Sequence, residues 1–177
     1  MNKKTIAGYL FILSLSFILY LIKPASTLYY SSLPLLMLMF PLVAGYRVKI
    51  SFSIKDIVAG LVVSLVLLVP YYLFFGGGNL KTISIYYVIF QLLGVAFPEE
   101  FFFRGFLQDS LGRNLKAIAL VSLLFSLAHL PRAIFLGEWI SLLSFFPSLV
   151  MGWLYMKTNN ILPGTLFHLL ANLVYQS

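Results

Sequence analysis

Seven apolar stretches follow one another along this chain, separated by short basic or glycine-rich joints. They run roughly over residues 5–22, 28–46, 57–75, 83–111, 115–130, 140–156 and 161–175. A helix needs about 20 apolar residues to cross a hydrocarbon core of ~30 Å. Backbone polar groups in lipid must also find their partners within the segment. Most of the seven are near that length. The fifth and seventh are shorter, so their ends are expected inside the protein or at the interface. The pattern predicts an all-α fold, a polytopic transmembrane bundle of about seven helices forming one membrane domain over residues 1–177.

Composition closes the other routes. Hydrophobic residues make up 61% and charged residues 10%, and mean hydropathy is +0.99. A water-soluble domain needs a polar surface that this chain cannot supply. There is no cysteine, which removes disulfides, thiolate chemistry and Cys-based metal sites. The net charge of +7 comes from single cations between apolar segments. That scatter sets topology; it makes no nucleic-acid surface.

With the N-terminus in the cytoplasm, that side receives Lys3, Lys4, Arg47, Lys49, Lys55, Arg113, Lys116 and Lys157. The other side receives Lys23, Lys81 and Arg132. Eight against three is the expected bias. The first segment follows Lys3 and Lys4 as a signal peptide would, but at about 18 residues it exceeds the usual apolar region and is expected to be a retained helix. The joint 47–56 is basic and semi-apolar, suited to the membrane surface. Gly-Gly-Gly-Asn at 76–79 reads as a loop. No internal repeat is visible.

Against this background the polar residues inside apolar segments are the candidates for function, because an ionised group at bilayer depth costs a few kcal/mol or more. Glu99, Glu100 and Arg104 lie in the fourth segment, and Glu99 and Glu100 are two of only five carboxylates. His129 lies near the end of the fifth, four residues after Phe125. His168 and Asn172 lie in the seventh. Residues four apart share a helix face, so Glu100 and Arg104 are expected to form an ion pair, and His168 and Asn172 to point the same way. Glu99 is about 100° round the helix from Glu100 and is left for another task.

Depth brings the groups together. At about 1.5 Å per residue, Glu99 lies roughly 18 Å from Leu111, His129 about 20 Å from Lys116, and His168 and Asn172 about 12 and 18 Å from Asn160. This assumes that Pro98 kinks the fourth helix without ending it. The expected result is a polar, water-accessible cavity between the fourth, fifth and seventh segments. Tyr86, Tyr87 and Gln91 could face the same space. Each group alone also has an ordinary reading: an interfacial charge cluster, a histidine bonded to a nearby carbonyl, or polar glue between helices. Together, a carboxylate, two imidazoles and an amide out of water make a hydrolytic site without a covalent nucleophile.

Glu99-Glu100-x-x-x-Arg104, with Phe103 and Gly105 beside Arg104, then Phe125-x-x-x-His129, then His168-x-x-x-Asn172, resemble the three ordered motifs of the CAAX protease and bacteriocin-processing (CPBP, or Abi) family, which includes the type II CAAX prenyl endopeptidases. The resemblance spans about Pro98 to Asn172, within a core of about 83–175. It implies a glutamic-type intramembrane endopeptidase with no metal and no cofactor. Glu99 would activate water together with His129, His168 and Asn172 would line the site and support the oxyanion, and Arg104 would be structural. The implied substrate is a membrane-associated peptide or protein, not necessarily prenylated, and the expected location is a prokaryotic cell membrane. Two other classes stay open: a zinc hydrolase using Glu99, His129 and His168, and a non-enzymatic proton-coupled carrier or immunity protein. The absence of an H-E-x-x-H motif and the nearness of Arg104 weigh against zinc.

Overall fold

The structure is a computed structural model that describes residues 3–22, 32–75 and 83–176. Among these residues the regular elements are all helices and there is no strand. Seven helices follow in order: α1 (Lys3–Ile22), α2 (Ser32–Val43), α3 (Ile54–Phe75), α4 (Ile85–Leu111), α5 (Leu115–Leu136), α6 (Trp139–Thr158) and α7 (Leu162–Gln176). Helices α1, α3, α4, α5 and α6 are long and apolar enough to cross a membrane, whereas α2 and α7 are shorter. At 15 residues, α7 is about 22 Å long, less than the hydrocarbon thickness. The protein is an integral membrane protein.

Among the described residues the expected segments and the observed helices agree in number and order, and two details differ. The fifth runs six residues further, to Leu136, because the single turn residue at His129 interrupts the helix without ending it. The second helix is described only from Ser32, so residues 28–31 lie outside the described part, as does the loop expected at 76–79. The basic joint is also more embedded than a surface strap. Val48 packs on α4 so closely that a Cβ on Gly105 would lie 2.3 Å from its side chain. The Ser51 backbone exchanges two hydrogen bonds with the buried Asn160 amide, at 2.7 and 3.1 Å. Tyr46, just before the joint, donates to Asp109 over 2.6 Å. Burial, with the Asp109 carboxylate beside it, pushes the Tyr46 phenol well above its usual pKa and keeps it a donor.

α4 is the central element. Phe102, Phe103, Phe106 and Leu107 are essentially buried and pack with Val121, Phe125, Met151 and Phe167 of the helices around it. α1 belongs to this bundle through buried Ile12 and through Tyr9, whose hydroxyl donates to the Leu124 carbonyl. α3 is the most lipid-exposed span and leans on α7. Gly60 makes that approach possible, since a Cβ there would sit 2.8 Å from the Pro163 backbone. With lipid on one side and protein on the other, α3 shows large apolar residues outward and small ones inward.

Candidate active site

The site begins with an irregularity in α4. Pro98 has no N–H to give to the carbonyl four residues back. Around it the helix widens to i→i+5 bonding over Gln91–Ala96 and again over Phe101–Gln108. Phe97 N–H accordingly donates to Leu92 O, and Asp109 N–H reaches back to Arg104 O. The helix continues through Pro98, as the depth comparison assumes. Such widened turns are rare and gather at functional sites. Glu99 and Glu100 sit on the single ordinary turn between them.

Glu100 faces protein. Its side chain and that of Arg104 are fully buried, and Arg104 Nε donates to Glu100 Oε2 over 3.2 Å. Arg104 is held further by Ser148, which accepts from Nη2 at 2.8 Å, and its guanidinium lies 5.5 Å above the Phe125 ring. One turn on, Gln108 donates to the Gly152 carbonyl. Gly164 of α7 closes the other side of the carboxylate, where a Cβ would lie 2.7 Å from Glu100 Oε2. Neither Ser148 nor Gly164 was foreseen from sequence, and no local pattern marks a residue whose importance is the backbone or hydroxyl it brings across from another helix.

Glu99 turns the other way, as its angle round the helix requires. It lines a cleft of about 190 Å³ with His129, beside Ser16, Tyr20, Phe103 and Arg132. The cleft lies among α1, α2, α4 and α5. That differs from the expected cavity between the fourth, fifth and seventh segments, because α1 and α2 pack beside the Glu99 face of α4. Apolar periodicity does not say which helices become neighbours. A larger groove of about 560 Å³ between α3, α5 and α6 is walled only by apolar residues such as Val66, Ile118 and Trp153. It holds no group that could do chemistry.

His168 stands between the two carboxylates. Its Nε2 is 3.7 Å from Glu99 Oε2 and its Nδ1 is 3.4 Å from Glu100 Oε1, and the imidazole is nearly buried. Phe125 packs its edge against this ring, with centroids 5.7 Å apart, and also touches His129. His129 Nδ1 lies 2.9 Å from the Phe125 carbonyl. A carbonyl only accepts, so Nδ1 carries a hydrogen, and in the neutral ring Nε2 then holds the lone pair. The ordinary reading of His129 is therefore correct for one nitrogen and leaves the other able to take a proton.

The third motif divides. His168 joins the glutamates, whereas the Asn172 amide donates to Gln91 Oε1 at 3.1 Å, and Gln91 in turn donates to the Tyr87 hydroxyl. Of the three residues that could have faced the cavity, Gln91 is buried and meets Asn172, while Tyr86 is largely exposed. Among the described residues no three His, Asp or Glu side chains converge as a metal's ligand set. The arrangement offers a carboxylate and an imidazole lone pair on one cleft, backed by a buried network of His168, Glu100 and Arg104.

Residues 81–174, which carry every member of this cluster, match the family model described as type II CAAX prenyl endopeptidase Rce1-like. No curated protein and no solved structure matches the chain.

Proposed function

The chain belongs to the type II CAAX prenyl endopeptidase Rce1-like family, and from that premise we propose that it cleaves a peptide bond in a membrane-associated peptide or protein with water activated by Glu99. The family supplies the coarse activity, an intramembrane protease of the CAAX type. One observation carries the finer reading: of the two adjacent glutamates, Glu99 alone lines the cleft, and it does so beside His129.

In the proposed step, Glu99 and His129 Nε2 flank a water and Glu99 takes its proton as oxygen adds to the substrate carbonyl. His168 stands beside the Glu99 carboxylate, with Nε2 3.7 Å from Oε2. Asn172 uses one amide hydrogen on Gln91 and has a second for the oxyanion. When the C–N bond breaks, the proton passes to the departing amine, and an acid and an amine remain. Glu100 and Arg104 set the position of His168 from behind. No metal is needed, because the carboxylate and imidazole supply the base, and the Arg104 cation near the glutamates opposes a dication. The N-terminus is assigned to the cytoplasm on the cation bias.

The test uses single substitutions in purified protein with a membrane peptide substrate. Glu99→Gln and His129→Ala are expected to lower cleavage at least ~100-fold, in the range of general acid–base contributions, with the melting temperature unchanged. Cleavage at the unsubstituted rate by either variant refutes the mechanism. Activity that survives exhaustive chelation supports the metal-free form, and activity lost to chelation and restored by Zn²⁺ refutes it.

A further inference from the structure

The cleft beside Glu99 has a direction. Lys3 and Lys4 begin α1, Lys55 lies in the first turn of α3, Arg113 and Lys116 flank the start of α5, and Lys157 lies in the last turn of α6. These residues mark one end of the bundle. The residues lining the cleft run from mid-helix toward the other end: Ile12, Ser16 and Tyr20 along α1, Leu33 and Pro34 in the first turn of α2, and Arg132 three residues beyond His129. Glu99 is its inner anion, and Arg132 is the cation among the described residues that line it. At about 1.5 Å per residue, Arg132 is ~24 Å from the level of Lys116, at the mouth opposite the basic end.

Arg132 is not buried away. Its side chain is 48% exposed and is paired through Nε with Glu138, itself 39% exposed, across the left-handed turn at Gly137. A guanidinium carries five N–H donors in a planar fork, and a pair this exposed can give way to a second carboxylate. A surface pair of this kind contributes little to stability. An arginine that lines a mostly apolar cleft, one turn from His129, is positioned for an anion brought by whatever enters.

We propose that Arg132 is a specificity-determining residue that seats a carboxylate of the bound peptide at the mouth of the cleft, with Glu138 occupying it until the peptide arrives. The carboxylate is a free C-terminus or an acidic side chain near the bond to be cut. The inference rests on the reading of the cleft as the peptide site.

Binding tests it separately from cleavage. The full-length Glu99→Gln protein in phosphatidylcholine nanodiscs is titrated with three probes: dansyl-Leu-Val-Phe with a free carboxylate, the same peptide as its amide, and dansyl-Leu-Val-Glu-amide. The anionic peptides are expected to bind on the order of tenfold more tightly than the neutral amide. Adding Arg132→Gln should erase that preference, Arg132→Lys should keep part of it, and Glu138→Gln should tighten the anionic peptides several-fold by removing the competing carboxylate. The tighter of the two anionic probes identifies which carboxylate is preferred. A preference that persists in Arg132→Gln, or no preference at all, overturns the proposal. So does an Arg132→Gln effect confined to phosphatidylglycerol added to the discs, which would make the arginine a headgroup anchor. Acid preference in a protein that shows no Glu99-dependent hydrolysis would instead sink the peptidase mechanism and leave Arg132 in its role.

Discussion

Adjacent glutamates in a membrane helix invite a single explanation, and their surroundings give them two. Glu100 is fully buried against Arg104, Gly164 and His168, while Glu99 borders the cleft. A buried ion pair adds little over a well-packed apolar pair, but removing one partner strands the other charge at a cost of several kcal/mol. Glu100→Gln is therefore expected to lose about 3 kcal/mol of stability, measured by thermal or denaturant unfolding in detergent. Cleavage should fall chiefly with the loss of folded protein. A variant that is stable and inactive would exchange the roles assigned to the two carboxylates. The split was legible in sequence from the four-residue step to Arg104. The contacts of His168 with both glutamates were not, because they depend on how α7 lies against α4.

At the scale of elements, close approach decides what the helices can do. α4 carries the chemistry through two widened turns around Pro98, and α7 delivers His168 by packing its Gly164 against Glu100. α3 supports α7 from the lipid side through Gly60 and the Pro163 backbone. Ala at position 60 would put a methyl group 2.8 Å from a backbone atom that cannot swing aside. Gly60→Ala should cost about 1–3 kcal/mol by overpacking. Cleavage should fall with it if α3 keeps α7 in place, and the paired measurement is unfolding against activity per folded molecule. Wild-type stability in this variant would show that α3 can move away without consequence. From sequence, Gly60 is one small residue in an apolar helix, and only its neighbour distinguishes it.

Across the whole molecule, the cations collect at one end and the cleft's mouth lies at the other. The chain has no cysteine, so single cysteines report sidedness without background. Ser51→Cys is expected to react with a membrane-impermeant maleimide only when the cytoplasmic face is exposed, and Leu136→Cys only from the opposite face, in sealed vesicles of known orientation. The reverse pattern would invert the topology, and labelling of both from one side would refute the bundle's alignment across the membrane.

Much was determined by sequence alone. Uninterrupted apolar length forces helices, because in lipid a backbone has few other ways to satisfy its polar groups. The spacing of Glu100 and Arg104, and of the three motifs, follows from helical periodicity, which is a local property. The tertiary structure decided which helices enclose the cleft, that His168 rather than His129 meets both glutamates, that Asn172 turns to Gln91, and that Arg132 stands at the mouth. Those facts depend on small residues and carbonyls meeting across helices distant in the chain. Lipid-facing and protein-facing surfaces are both apolar, so hydropathy alone does not say which face meets which.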